Sequence, residues 1–137
     1  MRFLDTNVLL YAISHAPEEA ARAERALQVL DASDCALSVQ VLQEFYVQAT
    51  RPTKADRIEH RQAEALIESW LRFPVQEMTV PILQAALICK ERYQIGYWDA
   101  SIIEAARAIG CREILSEDLQ DGQDYGGVRV ANPFRGT

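Results

Sequence analysis

The chain has 137 residues, 49% of them hydrophobic and 25% charged, which fits one soluble globular domain over 1–137 whose core needs no disulfides. The three cysteines, Cys35, Cys89 and Cys111, form no C-x-x-C pair and lie in apolar stretches, and with only His15 and His60 beside them a zinc site is short of ligands. Fourteen basic against twenty acidic residues give a net charge of −6, which excludes a generally basic surface for nucleic acid: any such contact has to use a local basic patch or a partner subunit.

Arg2-Phe3-Leu4 reads as a short buried strand that ends at Asp5. Thr6 and Asn7 turn the chain into a helix through Val8–Ala12. Asp5 interrupts the apolar N-terminal segment before a leader core forms, and the run Val8 to Ile13 is too short to span a bilayer, so a cytoplasmic protein is expected. Pro17, Glu18 and Glu19 open a second helix, where proline suits the first turn and acids complement the dipole. Ala20, Ala23, Leu27 and Leu30 then mark an apolar face. Cys35-Ala36-Leu37 is the next strand. Ser38 caps a helix running to Thr50, with Val41, Leu42, Phe45, Tyr46 and Ala49 inward, and Arg51-Pro52 ends it.

Thr53 to Leu71 reads as one long helix, with Thr53 and Asp56 at capping-box-like spacing. Val75–Met78 is a strand. Thr79 caps a helix that carries Pro81 in its first turn and runs to about Tyr93. Trp98 to Ile109 is a further helix stopped by Gly110. Arg112–Leu115 is a strand, Ser116–Gly127 a polar loop, and Val128-Arg129-Val130 the last strand. Short apolar strands alternating with amphipathic helices imply a three-layer α/β/α sandwich around a mainly parallel sheet of about five strands.

Sites in such sheets form beyond the carboxyl ends of the strands. Asp5 directly follows one strand and Asp118 follows another by a short step, while Glu44 and Asp99 lie on helices able to border the same end. Each has a plainer reading: Asp5 as a helix N-cap, Glu44 as a solvent-facing residue, Asp99 as an acid favoured by the helix dipole, Asp118 as part of a solvated acidic loop with Glu117, Asp121 and Asp124. Gathered together, the four would repel one another unless a hard divalent cation joined them. That chemistry points to a Mg²⁺- or Mn²⁺-dependent phosphodiester hydrolase.

The order and local context of these acids resemble those of the PIN-domain ribonucleases, and within them the VapC-like toxins of bacterial toxin–antitoxin pairs. Asp5-Thr6-Asn7-Val8-Leu9-Leu10-Tyr11-Ala12 looks like the family's first motif, Gln43-Glu44-Phe45 its second, Tyr97-Trp98-Asp99-Ala100 its third and Leu115-Ser116-Glu117-Asp118 its looser fourth. The closing Gly127–Phe134 segment is also similar, so the likeness covers essentially the whole chain. The resemblance implies an acidic metal pocket of Asp5, Glu44, Asp99 and Asp118, with Glu117 and Asp121 as neighbouring alternatives to Asp118. Thr6, Asn7 and Ser116 would orient carboxylates and water around it. It further implies RNA as substrate, products ending in a 5′-phosphate and a 3′-hydroxyl, an antitoxin that covers the pocket, and a homodimer. The basic candidates for holding RNA are Arg51, Lys54, Arg57 and Arg61, the last three spaced to share one face of the long helix. Arg22 and Arg25 form a second group.

Other chemistries have less support. A phosphatase that carries its aspartate after the first strand needs a second aspartate where Asn7 stands. No Gly-x-Ser-x-Gly elbow accompanies Ser14-His15, and nothing singles out a reactive cysteine. The alternative from a different class is a PIN-like module that binds RNA or protein without cutting. Its expected mark, loss of a pocket acid, is absent.

Overall fold

A computed structural model describes residues 1–137. Five short strands, β1 (Arg2–Leu4), β2 (Cys35–Ser38), β3 (Val75–Gln76), β4 (Glu113–Leu115) and β5 (Arg129–Ala131), form one sheet in the order β3-β2-β1-β4-β5. Every neighbouring pair is parallel; Phe3 sits opposite Ala36 on one side and Ile114 on the other. Phe3, Leu4, Ala36, Leu37 and Ile114 are completely buried. Central strands covered on both faces read as unbroken apolar runs, which is why Phe-Leu and Ala-Leu appear here instead of alternation.

The six helices are α1 (Thr6–Ala12), α2 (Ala20–Asp31), α3 (Val39–Ala49), α4 (His60–Trp70), α5 (Val80–Tyr93) and α6 (Tyr97–Ala108). The chain moves outward from β1 through β2 to β3, then crosses back to β4 on the other side of β1. Right-handed crossovers therefore place α1 to α4 on one face of the sheet and α5 with α6 on the other. The packing agrees: α1 lies against α2 and α3, α3 against α4, and α5 against α6. The direction reverses between β1 and β4, and a crevice opens there beyond their carboxyl ends.

Two junctions set the geometry of that crevice. Asp5 is the single residue between β1 and α1; its N–H continues the ladder to Leu115 O at 3.0 Å, and its carboxylate accepts the Thr6 N–H at 2.7 Å. Ser38 ends β2 and caps α3, its hydroxyl accepting the Val41 N–H at 3.2 Å. Thr79 caps α5 in the same manner, with Pro81 in the first turn. Gly110 takes a left-handed φ of 89° after α6, the conformation for which a glycine stop is suited.

Four expectations need correction. Thr53–Leu71 is not one helix: turns occupy the segment up to Glu59, and α4 begins only at His60. Lys54 N–H and Arg57 N–H close turns onto Arg51 O and Lys54 O, and Ile58 N–H bonds Ala49 O at 3.0 Å, folding the segment back over the end of α3. The capping box is made by Glu59 and Gln62, not Thr53 and Asp56. On α2 the buried row is Ala26, Val29 and Leu30, while Leu27 stays 52% exposed. The third strand is shorter than expected, Val75–Gln76 in place of Val75–Met78. No helix is long and apolar enough to cross a membrane.

Candidate active site

A cleft of about 350 Å³ opens at the switch point. Asp5, Glu44, Asp99 and Asp118 all line it, although they are spread over more than a hundred positions of sequence. Asp5 comes from the β1–α1 junction and is buried. Glu44 projects half-buried from the second turn of α3. Asp99, in the first turn of α6, and Asp118, three residues beyond β4, stand at the exposed rim.

The Ser116 hydroxyl ties the floor together. It donates to Asp5 Oδ2 at 2.7 Å and accepts the N–H groups of Asp118 and Leu119, both at 3.1 Å. Asn7, also buried, directs Nδ2 to Asp118 Oδ2 at 3.2 Å and accepts the Glu117 N–H at 3.2 Å. Thr6 Oγ1 donates to Glu44 Oε2 at 2.8 Å. Thr6, Asn7 and Ser116 thus each hold one or two of the carboxylates in place, through side chains that are themselves buried. Asp5 caps α1 and lines the cleft at once, so its plainer reading and its functional one are not exclusive.

The electrostatics set this cleft apart from the rest of the surface. The ion pairs of the protein join Arg2 to Asp34, Arg22 to Glu117, Lys54 to Asp56, Arg107 to Glu104, Arg129 to Asp124 and Arg135 to Asp121. None involves Asp5, Glu44, Asp99 or Asp118. Burial pushes the Asp5 carboxyl up to about 6, against the pull of hydrogen bonds from Ser116 and Thr6, and the Asp118 and Glu44 charges add to the rise. Partial burial raises the Asp99 carboxyl as well, again with Asp118 and Glu44 pushing the same way. Repelling carboxylates that no ion pair neutralises, offering only oxygen donors, suit a hard divalent cation. No three His, Cys, Asp or Glu side chains converge into a ready-made ion cage. An ion that keeps several of its waters matches such an open arrangement.

The neighbouring acids have other engagements. Asp121 accepts the Asn132 N–H at 2.9 Å and pairs with Arg135, outside the cleft. Glu117 lines the cleft but accepts the Tyr11 hydroxyl at 2.6 Å and faces Arg22 at 3.6 Å. All three thiols are buried away from the cleft; burial pushes Cys35 and Cys89 up to about 11 and raises Cys111, the signature of unreactive core cysteines.

The basic candidates are dispersed. Because the segment before His60 is not helical, Lys54, Arg57 and Arg61 share no helix face. Lys54 reaches the edge of the acidic cleft and pairs with Asp56 at 2.8 Å. Arg57 donates to Pro52 O at 3.3 Å beside a separate depression, and Arg61 is exposed on α4. Arg51 borders a groove that adjoins the cleft. Arg25 is held by Pro133 O.

Gln40 is a residue that sequence reasoning missed. It is buried, and its Nε2 donates to Glu44 Oε1 at 3.0 Å and to Trp98 O at 3.2 Å, while Oε1 accepts the Ser101 hydroxyl at 2.6 Å. Its spacing of four from Glu44 on an amphipathic helix was the available signal.

The sequence matches the PIN domain family over residues 2–120, which is most of the chain, and the protein belongs to that family. No curated protein matches it. Among solved structures, a toxin–antitoxin complex from Klebsiella pneumoniae aligns with TM-score 0.70 at 20% identity over 98% of each chain. VapC20 of Mycobacterium tuberculosis, described as a sarcin–ricin-loop-cleaving toxin, aligns with TM-score 0.68 at 19% identity over 86% of this chain and 90% of its own. DNA-bound VapBC from Salmonella typhimurium aligns with TM-score 0.65 at 20% identity over 96% and 97%. At such identities the likeness establishes the fold.

The raised Asp5 carboxyl makes metal-free stability depend on pH. Folded Asp5 keeps its proton to about pH 6, while the unfolded chain releases it near 3.8. Between those values the folded state binds more protons, so stability falls as pH rises, by at most about 3 kcal/mol for two units. Urea unfolding in chelator is expected to show this decline between pH 4 and pH 7 for the native protein, and a flatter profile for Asp5→Asn. Identical slopes in the two proteins would refute the assignment.

Proposed function

We propose that the protein is a metal-dependent endoribonuclease, and that it acts as the toxin of a toxin–antitoxin pair. The observation that carries the reading is the set of four carboxylates on one cleft, none of them neutralised by an ion pair. Asp5, Glu44, Asp99 and Asp118 would hold Mg²⁺ or Mn²⁺. When bound, such an ion supplies Lewis acidity at a phosphoryl oxygen and an acidified water as nucleophile. The chain's own part is positional. Ser116 and the Thr6 N–H fix both oxygens of Asp5, Thr6 and Gln40 fix those of Glu44, and Asn7 steadies Asp118. Carboxylates locked in this way leave little reorganisation for the reaction itself. RNA is favoured as substrate by the family, and by the toxins whose fold this chain shares.

A second protein and a second copy complete the proposal. The unpaired acids would attract a guanidinium from an antitoxin segment laid across the cleft. On the outward face of α5, Val80, Leu83, Leu87 and Ile88 are all exposed at helical spacing. Such a contiguous apolar row on the surface favours self-association through a two-fold contact.

Purified protein is expected to cut RNA with Mg²⁺ or Mn²⁺, to stop on chelation, and to lose about 100-fold or more in rate with Asp5→Asn, in line with removal of a residue that holds a catalytic ion. Cutting that survives both treatments would indicate a contaminant. Induced expression should arrest growth, and co-expression of an adjacent small antitoxin gene should restore it; unaffected growth at good expression would remove the toxin assignment. Light scattering should report a dimer that Leu87→Lys converts to monomer, whereas a native monomer at micromolar concentration would exclude pairing through α5.

A further inference from the structure

Beside the acidic cleft lies a groove of about 320 Å³ lined by Gln43, Glu44, Val47, Gln48, Arg51 and Trp98, with Gln40 at its base. Glu44, Gln48 and Trp98 line both the groove and the cleft, so the two are one continuous depression. The Trp98 indole is 66% exposed and contributes little to the core, an unusual disposition for so large an apolar side chain. Tyr97 braces it edge-on, with ring centroids 5.0 Å apart. Its backbone is also anchored. The Gln40 amide nitrogen bonds both Trp98 O and Glu44 Oε1, so one buried side chain fixes the aromatic ring's attachment and the carboxylate relative to each other. Beyond the indole, Arg51 is exposed and belongs to none of the protein's ion pairs.

The geometry points to Trp98 as a stacking platform for the base of an unpaired nucleotide that flanks the bond to be cut, with Arg51 holding a phosphate further along the strand. This rests on the ribonuclease reading and adds two residues to it, one that receives a base and one that holds a phosphate. An aromatic face accepts any base, which is how a groove without a base-reading motif holds RNA. The amides of Gln43 and Gln48 stand where they can meet a base edge. An unpaired cation and an exposed indole on one groove favour a nucleic-acid strand over an apolar protein segment, because every nucleotide carries both a base and a phosphate.

The test measures binding of a short oligoadenylate, an oligouridylate, their duplex, and an abasic ribose-phosphate chain of equal length, in Ca²⁺ under conditions where the RNA is recovered intact. Both single strands are expected to bind, and to weaken about 10- to 100-fold with Trp98→Ala, the size of one lost base stack. Trp98→Phe should retain most of the affinity. The abasic chain should bind the native protein and Trp98→Ala alike, and the duplex no better than the abasic chain. The inference is overturned if the native protein binds neither single strand, if Trp98→Ala binds them as tightly, or if the abasic chain is weakened equally. It is also overturned if Trp98→Ala spares RNA but loses affinity for the antitoxin, since the groove then belongs to a protein. A protein that binds RNA through Trp98 but shows no Asp5-dependent hydrolysis fails the nuclease reading alone. One that cuts RNA undiminished with Trp98→Ala fails this inference alone.

Discussion

The tension in this molecule is the burial of negative charge at the end of a parallel sheet. Asp5 has almost no access to solvent, faces other carboxylates and has no cationic side chain at hand. An isolated buried charge is costly, and hydrogen bonds recover only part of that cost. The Ser116 hydroxyl and the Thr6 N–H supply that part, and burial still holds the carboxyl well above its usual range. The proposed chemistry would use this uncompensated charge to hold a cation.

The fold bears that strain because the residues that create it also close the structure. Asp5 is a ladder residue, a helix cap and a cleft wall within one position. Ser116 links β4 to β1 through Asp5 while it caps the turn that carries Asp118. Gln40 and Ser101 extend the same network under Glu44 to the start of α6. Charged oxygens are therefore held by groups on rigid elements, the condition under which preorganised electrostatics is effective. Around this floor the wall changes character, from carboxylates at the switch point to amides on α3, the Trp98 indole of α6 and the Arg51 guanidinium just past α3.

Much of this is legible in the chain because local physics dominates at the relevant places. The apolar runs Phe3-Leu4, Ala36-Leu37 and Ile114-Leu115 read as strands since they are buried on both faces. Ser38, Thr79 and Gly110 read as boundaries since capping is a matter of a few neighbouring atoms. Reading fails where the environment chooses among local options. The segment 53–59 has helix-compatible residues, but Pro52 and the return of Ile58 to the end of α3 favour turns. With that helix lost, the shared basic face of Lys54, Arg57 and Arg61 is lost too. On α2 nearly every position of one broad stripe is apolar, so the sequence could not say that Ala26, Val29 and Leu30 go inward and Leu27 outward.

Order, caps and the identity of the four acids belong to the chain alone, since each depends on residues within a turn or two of one another or on a motif written in consecutive letters. Their meeting does not. Asp5 and Asp118 come together because β1 and β4 pair across the point where the chain reverses its path, and Glu44 joins them because α3 leaves the neighbouring strand at the same edge. Gln40's grip on both Glu44 and Trp98, and the lack of an ion pair to any of the four acids, likewise arise only in three dimensions. Charge repulsion and desolvation act over a few ångströms of space, a distance that position in a sequence does not encode.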